Sequence, residues 1–120
     1  MVDLFLSLIW DFDWETFLLD CNNMGLVSCL WYEDLFKYAE FRKEVKSRWA
    51  ELRDTFLSID EYIKTQAEAV RYSNEVNLAK WPISVTVNGD VNLSYDDAIE
   101  SMRAAYNYRL NVVDDYIKKL

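Results

Sequence analysis

The sequence contains no histidine, and its 120 residues include only one proline and two glycines. Without histidine, the chain cannot by itself form a Ser-His-Asp or Cys-His catalytic site or a histidine-ligated metal site. So little proline and glycine disfavours a loop-rich sandwich and favours a helical domain. The length is sufficient for one domain with a single hydrophobic core.

Basic residues are scarce as well, since 13 Lys and Arg stand against 21 Asp and Glu, for a net charge of −8. An acidic surface repels phosphate backbones, so we expect no nucleic-acid partner. The apolar start, residues 1–10, is too short to span a bilayer, so we expect no membrane-spanning segment there. It also has neither the basic region nor the small-residue cleavage site of a secretory signal, and the localisation stays open.

Cysteine is rare too, and the two present are Cys21 and Cys29. With no histidine and no further cysteine, a structural zinc site lacks ligands. The pair either forms one disulfide or stays as free thiols, and two cysteines do not decide the redox compartment.

Residues 3–14 show the clearest strand pattern, because their side chains alternate in polarity with a period of two. One face would carry six large apolar side chains: Leu4, Leu6, Leu8, Trp10, Phe12 and Trp14. A lone strand cannot satisfy its backbone hydrogen bonds, so we expect its partner strands to belong to sequence outside this chain. In isolation this arm would fold against the helices, pair with the arm of a second chain, or be poorly ordered.

Helical periodicity begins at Leu30. It predicts a short helix that ends near Tyr38 and a helix of about four turns over residues 41–56. The segment from Ser58 to Glu61 has the form of a capping box, which predicts that a new helix begins there and continues to Pro82. Residues 94–97 repeat the capping pattern before a last helix, and the tight-turn pair at 88–89 predicts a small hairpin between the two.

The predicted fold is therefore all-α, an antiparallel bundle of three main helices plus one short helix, with a strand-like N-terminal arm. We divide the chain into an arm and connection, residues 1–29, and a helical domain, residues 30–120. The tryptophans at 31, 49 and 81 recur where helices should face each other and are predicted to lie in the core. Tyr106 is predicted to be buried and Tyr108 exposed. Arg48, next to Trp49, and Arg53 could bind phosphate, but such arginines more often bridge helices through carboxylates or stack on indole.

The segment most similar to a binding site is Asp11-Phe12-Asp13. In an extended conformation the two carboxylates project from the same face, close enough to share a cation such as magnesium. Asp-x-Asp is a weak motif, however, and two acids on the solvated face of an amphipathic strand are the more common interpretation.

Tryptophan and arginine residues recur in five segments, residues 9–14, 31–36, 41–53, 73–82 and 109–114, and in this order the segments resemble the CotH (spore-coat H-type) kinase family. Residues 9–14 are similar to its P-[VI]-W-D-F-D segment, and residues 31–36 to its W-Y-x-x-L-F stretch. Residues 41–53 resemble its F-x-x-x-V-K-x-R-W-x-x-L-R stretch, while residues 73–82 and 109–114 fit its C-terminal helices. The resemblance covers nearly the whole chain.

This resemblance implies an atypical protein kinase that phosphorylates coat proteins with ATP and a divalent metal, Mg²⁺. It assigns Asp11 as the direct metal ligand and Asp13 as a second ligand or an orienting group. The family's nucleotide-binding lobe and catalytic-loop acid precede this segment, and the chain does not supply them. We therefore expect a C-terminal fragment that is inactive alone, with the missing N-terminal lobe or another chain as its partner.

A second hypothesis comes from a different class of protein. The chain would be a non-catalytic helical interaction module of a surface or coat protein, and its aromatic residues would dock on another domain or chain. Both hypotheses predict a helical fold. An upstream coding region with a kinase-type Lys and a catalytic Asp would favour the first, and its lack would favour the second.

Overall fold

The structure, a computed structural model, describes Val27, residues 30–82 and residues 93–120. These residues form three α-helices, α1 (Leu30–Leu35), α2 (Ala39–Lys80) and α3 (Tyr95–Lys119), and no strand. The described part of the chain is thus all-α, as predicted. The strand predicted over residues 3–14 and the hairpin predicted at 88–89 lie outside the described residues.

α2 is one continuous helix of 42 residues, which at 1.5 Å per residue is about 60 Å long. The predicted helix start at Ser58 is therefore wrong, and the described chain has two long helices rather than three. The Ser58 hydroxyl donates to the carbonyl oxygen of Thr55 at 2.8 Å instead of capping free N–H groups. Residues 54–64 contain neither glycine nor proline, so nothing in the local sequence interrupts the helix.

Two other predicted helix ends are confirmed, whereas α1 ends at Leu35, three residues before the predicted end near Tyr38. α2 ends directly before Trp81, whose N–H donates to the Asn77 carbonyl at 2.8 Å, and Pro82 prevents continuation. α3 begins after Ser94, whose hydroxyl oxygen accepts a hydrogen bond from the backbone N–H of Asp97 at 3.1 Å. A proline and a cap act within one helical turn, which is why these ends could be predicted locally.

α1 is held against the beginning of α2 by a short turn. Arg42 donates from Nη1 to the carbonyl oxygens of Phe36 at 2.7 Å and Lys37 at 2.9 Å. The Phe36 ring lies edge-on to Phe41, with centroids 5.1 Å apart, and to Tyr116 in α3 at 6.4 Å. These aromatic contacts place the turn that follows α1 beside the C-terminal end of α3.

α2 and α3 pack as an antiparallel pair, because residues in rising order along α2 meet residues in falling order along α3. The contacting pairs are Trp49 and Arg53 with Asp114, Phe56 with Tyr106, Asp60 with Arg103, and Ala67 with Tyr95. Among the described residues, those that are buried are Ala67, Ala105, Tyr106, Ile117 and the carboxylate of Asp114. The core of this part is small, and alanines let the two helices approach closely.

The predicted tryptophan core is only partly correct. Trp49 is half-buried and stacks on Phe56 with ring centroids 5.4 Å apart. Trp31 is 63% exposed and Trp81 is 60% exposed, so both predictions were wrong. Trp31 belongs to a helix of only six residues, and Trp81 lies beyond the segment of α2 that α3 covers. Tyr106, 7% exposed, is buried as predicted.

Candidate functional site

The predicted metal ligands, Asp11 and Asp13, lie outside the residues that the structure describes. Within residues 30–82 and 93–120, no group of three or more His, Cys, Asp or Glu side chains is arranged to hold a metal ion. The described part instead has three clusters of charged side chains along the α2–α3 seam and a set of exposed apolar side chains.

The first cluster surrounds Asp114, which is 8% exposed. Trp49 donates from Nε1 to Oδ1 of Asp114 at 2.6 Å. Arg53 donates from Nε at 3.0 and 2.9 Å to the two carboxylate oxygens, and from Nη2 to Oδ2 at 2.7 Å. Such forked arginine–carboxylate contacts are geometrically specific. The prediction that Arg53 bridges helices is confirmed, whereas the neighbouring Arg48 pairs within α2.

These contacts determine the protonation state of Asp114. The hydrogen bonds from Arg53, and then from Trp49, lower the pKa of Asp114 to about 2. The carboxylate is therefore ionised at neutral pH and cannot serve as a proton donor. Its oxygens are occupied by Arg53 and Trp49, which is typical of a structural clamp rather than a catalytic acid.

A shallow cleft adjoins this cluster and is lined by Leu57, Leu110 and Asn111 as well as the clamp residues. It has room for about one water molecule and is open to solvent. Small-molecule sites usually have volumes of roughly 300–1,000 Å³ and bury most of their ligand. The cleft is therefore too small and too open for a nucleotide or a similar substrate.

The second cluster lies in the middle of the seam around Asp60. Arg103 donates from Nε at 3.0 Å and from Nη2 at 2.9 Å, and Asn107 donates from Nδ2 at 2.9 Å. These hydrogen bonds, chiefly those from Arg103, lower the pKa of Asp60. Beside them the Tyr106 hydroxyl donates to the Phe56 carbonyl at 2.8 Å, and burial raises the pKa of Tyr106. A neutral, bonded phenol of this kind is not an activated nucleophile.

The third cluster joins the start of α3 to α2. Arg71 donates to Glu68 at 2.6 Å and to Asp96 at 2.7 Å, and it lies 5.1 Å from the centre of the Tyr95 ring. Tyr95 in turn donates to the Ala67 carbonyl at 2.8 Å. Glu68 and Asp96 have lowered pKa values because of Arg71. Like the other two clusters, this one fixes the position of α3 along α2.

Sequence reasoning missed the Asp60 cluster, because the predicted break at Ser58 placed Asp60 in a helix cap. One signal could have revealed it. Asp60 lies four residues after Phe56 and three before Ile63, within the apolar stripe that continues to Ala67. An acidic residue inside such a stripe needs a partner on the facing helix, which Arg103 supplies.

The exposed apolar side chains form the remaining feature. Ten large hydrophobic residues among those described are exposed: Trp31, Tyr38, Leu57, Tyr62, Val70, Tyr72, Val76, Trp81, Leu93 and Tyr108. Tyr72 is the most exposed, at 76%, and it lies in the C-terminal half of α2 with Tyr62 and Val76. Exposed side chains of this size are available for contact with another molecule.

None of the three described helices combines the length and the apolarity needed to cross a membrane. Comparison with protein-family models, with curated proteins and with solved structures found no match. The resemblance to CotH-type kinases therefore stays a prediction from the quoted motifs.

Proposed function

We propose that the chain is a helical interaction module, in which the α2–α3 pair presents apolar side chains to another protein domain or chain. The main support is the exposure of ten large hydrophobic side chains in the described part, six of them on α2 and α3, against four buried apolar residues. Burial of one such side chain contributes about 1.5–3 kcal/mol, so covering several of them would stabilise a complex substantially.

The three charged clusters lie on the side of α2 that faces α3, and they support the same function. Arginine–carboxylate pairs of 2.7–2.9 Å bridge the two helices at Asp114, Asp60 and Asp96. Because these bridges fix the register, the pair can present its outer surface in one orientation before a partner binds, which lowers the entropic cost of association. Asp114, Asp60 and Asp96 are all engaged in these bridges, which favours a non-catalytic role.

Site-specific photo-crosslinking in cells of the source organism tests this function. A photoreactive phenylalanine analogue at Tyr72 is expected to give a discrete adduct with one protein. The same analogue at Lys46, an exposed polar position of α2, is the matched control and should give none. If neither Tyr72 nor Tyr62 yields an adduct above this control, the interaction module is contradicted.

One observation favours a second proposal, the helical scaffold of a CotH-type phosphotransferase. Two segments that carry the resemblance, residues 41–53 and 109–114, meet in the structure, where Trp49 and Arg53 bind Asp114. In this proposal residues 1–29 supply Asp11 and Asp13 to Mg²⁺, while the missing N-terminal lobe contributes the ATP contacts.

Phosphoryl-transfer assays test the scaffold proposal. The 120-residue chain is expected to be inactive with Mg²⁺ and ATP, and the chain extended by its upstream lobe should be active. Activity of the extended protein should disappear with Asp11→Ala, while Asp115→Ala, an exposed acid on α3, should retain it. Transfer by the 120-residue chain alone, or an upstream region without a kinase-type Lys and Asp, would contradict the proposal.

A further inference from the structure

The outer face of α2 has a regular pattern that the α2–α3 pairing does not use. Seven positions follow one another at spacings of four and three residues, and all of them are exposed. We call them the outer stripe: Ser58, Tyr62, Thr65, Ala69, Tyr72, Val76 and Ala79. At about 100° per residue, Val76 lies about 180° around the helix from Ala67, which faces α3. The outer stripe therefore faces away from α3.

Spacings of four and three average 3.5 residues, which is the period of a helix that packs against another helix. A straight α-helix departs from this period by about 20° per heptad, so a partner following the outer stripe would wind around α2 with a left-handed twist. The stripe also combines small and large side chains, because Ala69 and Ala79 lie on either side of Tyr72 and Val76. Such holes and knobs accept the side chains of a second helix.

One edge of the outer stripe is acidic. Glu61, Glu68 and Glu75 recur every seven residues, each directly before a position of the stripe, and all three are exposed. Glu68 shares Arg71 with Asp96, and Glu61 lies 3.9 Å from Lys64, yet their side chains remain 66% and 72% exposed. Their carboxylates can therefore still meet a cation from outside.

This charge pattern indicates which molecule could cover the outer stripe: a second copy of the chain, another segment of the same chain, or a different protein. In an antiparallel pair of two copies, the glutamate rows would oppose each other. In a parallel pair, the residues that flank the stripe would form one pair of opposite charge, Glu75 of one copy with Lys80 of the other. The chain's own segments outside the described helices, residues 1–29 and 83–92, contain no Lys or Arg. Apart from Lys80 opposite Glu75, none of these occupants supplies a positive charge that the glutamates would attract.

We propose that the outer stripe binds an amphipathic α-helix of another protein that carries Lys or Arg along one edge. This inference rests on the proposed interaction module and names the class of its partner. The apolar face of that helix covers Tyr62, Tyr72 and Val76, and its basic edge lies along the glutamate row. Burial of the apolar face supplies affinity, and the charges set the orientation and exclude acidic helices.

A pair of synthetic helical peptides of about 25 residues tests the proposal with the full chain. Both carry the same apolar heptad positions, and the flanking positions are lysine in one peptide and glutamate in the other. Fluorescence anisotropy should show binding of the lysine peptide, at least about tenfold tighter than the glutamate peptide, with a difference that shrinks at high salt. Equal affinities, or no binding of the lysine peptide, would overturn the proposal.

Two variants and one control make the test specific to this surface. E61K/E75K leaves the contact between Glu68 and Arg71 in place and should reverse the preference toward the glutamate peptide. Tyr72→Ser should weaken both peptides, whereas Tyr108→Ser, an exposed tyrosine of α3, should change neither. If Tyr72→Ser lowers the helix content in circular dichroism, the charge-reversal variant decides the matter alone. An unchanged preference in that variant overturns the proposal.

The remaining outcomes separate this inference from the function on which it rests. A crosslinked adduct at Tyr72 without any preference for the lysine peptide would leave the interaction module standing and remove the basic helix. A dimer in analytical ultracentrifugation that Tyr72→Ser dissociates would assign the outer stripe to a second copy instead. Absence of any adduct contradicts the interaction module itself.

Discussion

The two opposite faces of α2 differ in how they use apolar and charged residues. On the face that meets α3, apolar side chains such as Phe56 and Ala67 alternate with Asp60, whose charge is paired across the seam. On the other face Tyr62 and Tyr72 are exposed, and glutamates follow their edge. A helix that is apolar on two opposite sides is suited to being covered on both. Within the described residues, α3 covers the first of these faces, and the face with Tyr62 and Tyr72 stays exposed.

We call the face of α2 that meets α3 the inner face. On it, polar contacts fix the position of α3 more than apolar packing does. A salt bridge at a partly exposed seam contributes little net stability, because desolvation offsets the attraction between the charges. Its directional hydrogen bonds do fix the register of the two helices. We therefore expect large stability effects at the few buried side chains of the seam and small effects on the outer face.

Removal of the buried tyrosine should have the largest effect. Tyr106→Ala removes a ring that is 7% exposed, together with its hydrogen bond to Phe56, and is expected to lower the free energy of unfolding by about 3–4 kcal/mol. Tyr108→Ala, its exposed neighbour on α3, should cost less than about 1 kcal/mol. Urea denaturation of both variants checks this, and equal losses would contradict the assigned faces.

The Asp114 clamp should have the next largest effect. Asp114→Asn removes the charge that accepts from Arg53 and Trp49, and is expected to cost about 2 kcal/mol at neutral pH. Asp115→Asn is the matched control, since Asp115 is exposed and contacts only Lys118 among the interactions described, and it should change stability by less than about 0.5 kcal/mol. A similar loss in both variants would place Asp114 outside the seam.

Acid should weaken the same clamp. Folding lowers the pKa of Asp114 from its ordinary value of 3.8 to about 2, because Arg53 and Trp49 stabilise the ionised form. A lowered pKa contributes stability that is fully present above about pH 4 and is lost as the pH falls through about 2. The contribution lost is about 1–2 kcal/mol, so the decline in thermal stability between pH 4 and 2 should be shallower in Asp114→Asn. An identical pH profile in the two proteins would refute the clamp.

The smallest expected changes in stability concern two serines that lie in similar capping patterns, Ser94 and Ser58. Ser94→Ala removes the cap of α3 and should cost about 1 kcal/mol. Ser58→Ala, on the outer stripe of a continuous helix, should change stability by less than about 0.5 kcal/mol or raise it slightly, because alanine has the higher helix propensity. A loss of about 1 kcal/mol at Ser58 would indicate a helix start there and would undo the continuous outer face.

The candidate site was less predictable than the helices. Exposure of Tyr72 cannot be read from its spacing, since the same helical period fits either face of α2. Arg53 could be assigned to an interhelix bridge because arginine beside an indole usually has that role, but its partner, 61 residues away, could not be named. Asp11 and Asp13, which the sequence singled out for a metal, lie outside the described residues, and that prediction stays open.

The sequence by itself determined the helical class, the end of α2 before Pro82 and the start of α3 at Ser94, because a missing N–H group and a capping hydroxyl act within one turn. Only the tertiary structure decided that α2 continues through Ser58. There neither glycine nor proline forces a break, and the facing helix supplies Arg103 to Asp60 and Tyr106 to the Phe56 carbonyl, contacts that favour a continuous helix over the capping-box alternative. It also decided which face of α2 is exposed, since α3 can cover only one side.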